Sequence, residues 1–309
     1  MNRTVEISNN ERQYVLQGLA NGIRTDGRSL DTSRMPEVWI EPNEYGYVEV
    51  KWGKTYVSCR VSSEVVAPFE DRPFEGLFVI NSEISSQASA MFDNSKSGVD
   101  EVLITRMIEK AVRRSNALDL ESLCIVAGKK VWSITVDVNF LNYDGNFIDV
   151  TCFAVMIALQ HYKKPDVLVE AGGDKIIVHL VDERQPVPLS ILHVPICLTY
   201  LFYNLGDIES NIKGEGTESQ EVSVLDASLT EELVRDGFLV ITLNKNREII
   251  QISKNGGLPI DALNLMRLSK ELMEWVDKLT EVMKTTLVAD EKERYDRLHL
   301  KLLEVGANR

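Results

Sequence analysis

An α+β fold, with mixed sheets and helices gathered on one side, is predicted for this 309-residue chain. Runs dense in Val, Ile and aromatic residues, bounded by Gly, Asn and Pro, come in groups and read as strands. Each group gives way to a stretch in which apolar residues recur at helical spacing. The order strands, helix, strands, helix then occurs a second, weaker time, which suits sheets with helices segregated to one side. With 44% hydrophobic residues and no Pro/Gly/Ser-rich linker, the chain can build one large domain or two small ones.

Ser8 and Glu11 stand at capping-box spacing ahead of Tyr14, Val15, Leu16 and Leu19, so a short helix opens the chain and Gly22 ends it. Residues 37–40, 47–52, 55–62 and 77–84 read as strands of one sheet. Over residues 99–115 the period changes: Ile104, Ile108, Ala111 and Val112 mark the apolar stripe of an amphipathic helix. Strands at 123–127 and 131–141 follow, joined by the Gly128-Lys129-Lys130 turn, and an apolar helix from about residue 148 to 161 follows the Asp144-Gly145 turn. After Lys164-Pro165, residues 167–171 and 175–179 flank Gly172-Gly173-Asp174, a hairpin signal. Strands at 194–203, 223–227, 238–243 and 248–253 then precede a long helix from near Pro259. Met266, Met273, Val276, Leu279, Met283 and Leu287 mark its buried stripe, and Tyr295, Leu298, Leu302 and Val305 suggest a separate last helix.

Several functions are disfavoured at this level. The net charge of −13 opposes a protein that binds nucleic acid by itself, because phosphate affinity comes from clustered Lys and Arg that release counterions. No run of eighteen apolar residues occurs and the N-terminus is polar, so an intracellular protein without membrane association is expected. Cys59, Cys124, Cys152 and Cys197 each lie in an apolar run and are expected to be buried structural thiols. His161, His179, His193 and His299 lack metal-ligand spacing. Asn255-Gly256-Gly257 reads as a turn after a strand, and no Ser or Cys carries an associated His and acid motif.

Three stretches resemble the RNase PH family. Arg24-Thr25-Asp26-Gly27-Arg28-Ser29 is similar to its opening R-x-D-G-R, and Asp71-Arg72-Pro73-Phe74-Glu75-Gly76 to its D-x-P-x-E-G element. Tyr143-Asp144-Gly145-Asn146-Phe147-Ile148-Asp149 resembles D-G-N-L-I-D-A, the form found in the non-catalytic branch of RNA exosome ring subunits, where active members carry D-G-G-T/S-R. Pro186-Val187-Pro188-Leu189, Pro195-Ile196-Cys197 and Asp226 with Glu231-Glu232 extend the likeness over roughly residues 24 to 260. The resemblance implies a duplicated β-α-β-α unit: an N-terminal helix in 1–23, a first unit in 24–164, a second in 165–288 and a helical tail in 289–309.

Phosphorolysis moves an RNA 3′ phosphodiester onto inorganic phosphate, so a site must hold two anions side by side and stabilise developing charge. The family uses a Thr or Ser and an Arg just after the glycine; aligned on Asp144-Gly145, those places hold Phe147 and Ile148. Neither donates a side-chain hydrogen bond, and both would desolvate a phosphate without compensation. The family's metal-binding aspartates stand six residues apart before a strand; here Thr230 and Asp236 occupy those places, a degenerate metal site. A shift of a few residues would offer Asp226, Glu231 or Glu232 instead; the alternative is a turn aspartate beside a solvated acidic edge. Arg106, Lys110 and Arg113 fall at i, i+4 and i+7 with Arg114 beside them, and all four are expected on one helix face opposite the apolar stripe. By resemblance this stretch lines the channel for single-stranded RNA, against the alternative of a solvated face paired with Glu109.

The resemblance therefore implies a catalytically silent ring subunit with no cofactor, acting in 3′ to 5′ RNA processing and decay. Its implied partners are other RNase PH-like ring subunits, in a heterodimer within a heterohexameric ring, together with cap proteins, a hydrolytic exoribonuclease subunit and single-stranded RNA. The implied locations are nucleus, nucleolus and cytoplasm. Two other functions compete: an active phosphorolytic 3′ to 5′ exoribonuclease, and an acidic protein-interaction domain without RNA contact. Phosphate-dependent release of nucleoside diphosphates separates the first rival, and the basic stripe separates the second.

Overall fold

Helix α1 (Asn9–Ala20) begins at the capping box that its sequence encodes. Glu11 N donates to Ser8 Oγ at 3.3 Å, and Ser8 N donates to the Glu11 carboxylate at 3.1 Å. Val15, Leu16 and Leu19 are buried while Tyr14 is exposed, so the apolar face is narrower than its sequence suggests. Gly22, at φ +71°, turns the chain away after the helix. The computed structural model describes residues 7–89, 92, 98–170, 176–180, 183–205 and 221–307, with side chains as far as residue 300.

The first sheet contains β1 (Pro36–Ile40), β2 (Tyr47–Trp52), β3 (Thr55–Val66), β4 (Leu77–Ile84), β5 (Cys124–Val126) and β6 (Lys130–Asn142). Its order is β1-β2-β3-β6-β4, with β5 also paired to β6, and β4 beside β6 is its one parallel pair. Side-chain alternation puts Val48, Val50, Trp52, Val57, Cys59 and Val61 on the inner face. Helices α2 (Val99–Glu109) and α3 (Phe147–His161) pack there.

The second sheet has the order β12-β11-β13-β14, all antiparallel, from β11 (Ile196–Asn204), β12 (Glu221–Leu225), β13 (Gly237–Leu243) and β14 (Ile249–Gly256). Helix α3 contacts β3 of the first sheet and β11 of the second. That position explains its composition: every residue but Gln160 is buried, as a helix covered on all sides requires. Two short pairs lie apart, β7 (Lys163–Lys164) with β10 (Val187–Pro188), and β8 (Val167–Val169) with β9 (Ile176–Val178). The Gly172-Gly173-Asp174 turn lies outside the described residues.

Four sequence-based expectations need correction. The helix over 99–115 is α-helical only to Glu109 and continues as a π-helical turn, Lys110–Arg114, which shifts the register of its basic residues. Cys124 is half-buried, because its short strand β5 lies off the main path of the sheet; the other three cysteines are buried. The separate last helix does not exist: α5 (Ala262–Ala307) runs unbroken for 46 residues, with no proline or glycine to stop it before Gly306. Met266 is 70% exposed, since the stripe that packs on the body is Leu268, Leu272, Val276, Leu279 and Met283. Tyr295 and Leu298 are exposed on the same helix, and the side chains of Leu302 and Val305 lie outside the description.

Candidate functional site

The turn between β6 and α3 sets the geometry of the site. Gly145, at φ +84°, runs so close to the neighbouring chain that a Cβ would meet Ala227 O at 2.8 Å and Leu229 N at 2.9 Å. Only glycine fits. Asn146 follows in the left-handed region at φ 61°, and its Nδ2 donates to Asp226 Oδ1 at 2.6 Å. Asp149, in the first turn of α3, accepts from Thr199 N at 2.9 Å and lies 2.6 Å from Thr199 Oγ1. Burial pushes its carboxyl up to about 8; the Asp226 charge adds to the rise and the Thr199 hydrogen bonds oppose it.

Between these polar anchors, Phe147 and Ile148 are both buried. Phe147 stacks parallel on Tyr143 with centroids 3.8 Å apart and meets Phe140 edge-on at 4.8 Å and Phe92 at 6.0 Å. Four rings therefore occupy the space beside the helix start. The cavity left against Thr199, Leu201, Glu232 and Arg235 is about 40 Å³. That is room for a few waters and far below the roughly 300 Å³ at which ligand pockets begin. Tyr143 Oη donates to Glu232 at 3.0 Å, and burial, then the Glu232 charge, raises its phenol so that the proton stays on. Arg235 ion-pairs with Glu232 and lies 4.8 Å over the Phe238 ring. Sequence reasoning missed the Glu232–Arg235 pair, because Glu232 lies on a short helix with no apolar period to reveal it and Arg235 follows just past that helix's end.

Thr230 and Asp236 are not brought together at a common ligand position. Thr230 is exposed near the start of α4 (Leu229–Val234), its hydroxyl 3.1 Å from Ser228 Oγ. Asp236 lies beyond the other end of α4, accepting from Asn204 N at 2.7 Å with Arg12 at 3.8 Å. Two of the alternative carboxylates are committed elsewhere. Glu231 is buried and accepts from Arg24 Nε at 3.0 Å and Nη2 at 2.7 Å. Asp226 is buried and accepts from Arg28 Nη1, Arg34 N, Arg34 Nε and Arg34 Nη2, each at 2.8 Å. Burial alone would raise Asp226, but the hydrogen bonds and charge of Arg34, with Arg28, hold it below the usual carboxylate range. Among the described residues, no group of three or more His, Cys, Asp or Glu is placed to hold a metal ion.

On the basic helix, Glu109 binds both Arg106, at 3.0 Å, and Arg113, at 3.2 Å, while Lys110 and Arg114 are exposed. The π-helical turn directs Arg113 and Arg114 onto a groove of about 660 Å³. Arg72, from the Asp71-to-Gly76 element, lines the same groove, which spacing along the chain could not reveal. Glu75, Glu109, Asp119 and Glu121 also line it, so its charge is mixed.

Residues 36–165 match domain 1 of the 3′ exoribonuclease family (RNase PH) and residues 193–270 match domain 2. The chain is 52% identical over 295 residues to the exosome complex component RRP45 of Saccharomyces cerevisiae, with 95% of each covered. The Schizosaccharomyces pombe protein of that name is 42% identical over 290 residues, with 94% of each covered. The Homo sapiens protein is 37% identical over 288 residues, covering 93% of this chain and 62% of the human one. Among solved structures, a chain of the Archaeoglobus fulgidus exosome with RNA bound to the active site superposes with a TM-score of 0.71 at 28% identity. That match covers 88% of this chain and 96% of the archaeal one. With both domains matched in order and relatives aligned over nearly the whole sequence, the chain belongs to the RNase PH-type 3′ exoribonuclease family.

Proposed function

We propose that this chain is a non-catalytic ring subunit of the RNA exosome, one that scaffolds the assembly and guides single-stranded RNA for 3′ to 5′ processing and degradation. The observation that carries the catalytic part is the ring stack of Phe147, Tyr143, Phe140 and Phe92, which surrounds the residue that the resemblance aligns with a phosphate donor of active members. A phosphate there would lose its water and gain no charge-assisted hydrogen bond from either side chain. Thr230 and Asp236 add a single carboxylate, a poor magnesium site. RNA guidance is supported by Arg113 and Arg114, with Lys110 and Arg106 along the same helix.

The proposed neighbours are RNase PH-like paralogues in a heterohexameric ring, with cap proteins and a hydrolytic exoribonuclease subunit as further partners. Nucleus, nucleolus and cytoplasm are the proposed locations, and the division into two duplicated units near residue 164 belongs to the same reading. The test is incubation of the purified protein with a single-stranded RNA oligonucleotide, inorganic phosphate and magnesium. No nucleoside diphosphate is expected. Phosphate-dependent release that disappears in Asp236→Ala would establish the rival reading, an active phosphorolytic enzyme.

A further inference from the structure

The first sheet has one face packed and one face open. Its inner face meets α2 and α3, whereas Trp39, Lys51, Arg60, Asn139 and Glu83 on the outer face are all exposed. Trp39 stands directly across from Glu49 in the β1/β2 register, and Glu49 stands across from Ser58 in the next. Trp39 is 48% exposed and meets Tyr47 edge-on with centroids 6.3 Å apart. Both Tyr47 Oη, at 2.7 Å, and Tyr56 Oη donate to the Glu49 carboxylate, one to each oxygen. A large aromatic face is thus held beside a carboxylate whose orientation is fixed by two phenols.

We propose that this outer face, centred on Trp39, Tyr47, Glu49 and Tyr56, is a docking surface for an arginine-bearing segment of a protein partner. A carboxylate offers about four acceptor sites, so two phenolic donors leave both oxygens of Glu49 able to take a guanidinium fork. Directly opposed residues on one sheet face lie roughly 5 Å apart, which lets one guanidinium stack on Trp39 while it bonds to Glu49. Charge complementarity favours the same occupant. The face carries Lys51 and Arg60, but each is already paired, with Glu37 and Glu44 respectively. Glu64 and Glu83, exposed on that face, have no ion-pair partner among the described residues. An RNA backbone would be repelled by this surface, whereas a cationic peptide would be drawn to it.

Fluorescence anisotropy of a labelled octa-arginine peptide with the full chain, compared with octa-lysine, tests the proposal. Octa-arginine is expected to bind more tightly, because a guanidinium stacks on aromatic faces as well as pairing with carboxylates. Trp39→Ala should weaken octa-arginine binding by about three- to five-fold and remove the preference over lysine. Glu49→Gln should weaken it by a similar factor, while Glu274→Gln, an equal charge change on the exposed face of α5, should leave it unchanged. Circular dichroism and the melting temperature keep loss of folding apart from loss of binding. Equal effects of Glu49→Gln and Glu274→Gln, with no effect of Trp39→Ala, would reduce the binding to overall charge and overturn the proposal. Light scattering that shows a homodimer dispersed by Trp39→Arg would overturn it too, by assigning the face to a second copy.

Discussion

Asp149 holds a carboxylic acid in the core at 1% exposure, and its environment makes stability depend on pH in a known direction. Its unfolded value is 3.8 and its folded value about 8, so below pH 3.8 both states are protonated and the contribution is fully present. As pH rises from there through about 8, the folded state keeps a proton that the unfolded state has lost, and that stability drains away. Asp149→Asn keeps the shape and the bond from Thr199 N. It should flatten the curve, so that its stability relative to the native protein improves between pH 5 and pH 8.5 in urea unfolding; parallel curves would refute this. A second prediction concerns Phe147 and Ile148. On the proposed reading, Phe147→Thr with Ile148→Arg supplies the residue types that the resemblance assigns to active members but leaves the proposed metal pair incomplete, so phosphorolysis should stay undetectable. The change should also destabilise the fold by about 3–5 kcal/mol, the range for losing a packed Phe, with a buried charge added. At this scale the apolar character of Phe147 and Ile148 was legible in the sequence, and both are buried. The partners of Asp226 were not, because Arg28 and Arg34 lie nearly two hundred residues away along the chain.

Elements were legible wherever a local period met a local boundary. Strands 47–52 and 77–84 match β2 and β4 residue for residue, since alternating Val, Ile and aromatic residues end at turn residues in both cases. Strand β3 runs on to Val66, beyond the expected residue 62, because pairing with β6 continues through Val66↔Val131. Helix α5 shows why long periodic patterns mislead. Its lower half packs through Leu272, Val276 and Leu279, and farther along it is held by Arg294, which pairs with Asp290 at 2.7 Å and lies 4.5 Å over the Tyr45 ring. Arg294 also donates to Glu41 O and Glu44 O, and Arg297 to Pro42 O at 3.3 Å. Arg294→Ala should therefore speed amide hydrogen exchange over the last turns of α5 without changing exchange around Leu272. The π-helical turn yields a prediction about RNA. Each phosphate contact on a single strand contributes about −0.7 to the slope of log K against log salt, so four give roughly −2.8. Arg113 and Arg114 are two of the four, so Arg113→Glu with Arg114→Glu should remove at least about half of that slope and leave assembly intact. An unchanged slope would return the stripe to a solvated face.

Across the whole molecule, the Arg24-to-Ser29 element acts as a tie between distant parts of the chain. Arg24 bonds Glu231, Leu225 O and Asp226 O, while Arg28 and Arg34 close on Asp226, so the N-terminal segment is fastened to the end of β12 and to α4. Arg24→Met alone leaves Glu231 buried without its cation and should cost about 3–5 kcal/mol, whereas Arg24→Met with Glu231→Met should recover much of it. Charge and open sheet edges are the features of this chain that bear on its proposed assembly. The β1, β4, β12 and β14 strands each have one side with no pairing among the described strands, and such edges invite association. A second copy of this chain would bring −13 against −13, whereas a less acidic paralogue offers complementary charge. The chain expressed alone should thus be monomeric or poorly behaved, and co-expression with a paralogue of the catalytic branch should give a stable heterodimer burying more than ~1,600 Å². Light scattering on both preparations decides the matter. A stable homohexamer that binds RNA without any partner would sink the heteromeric ring, because it would show that self-repulsion at this charge is outweighed by contacts the chain supplies to itself.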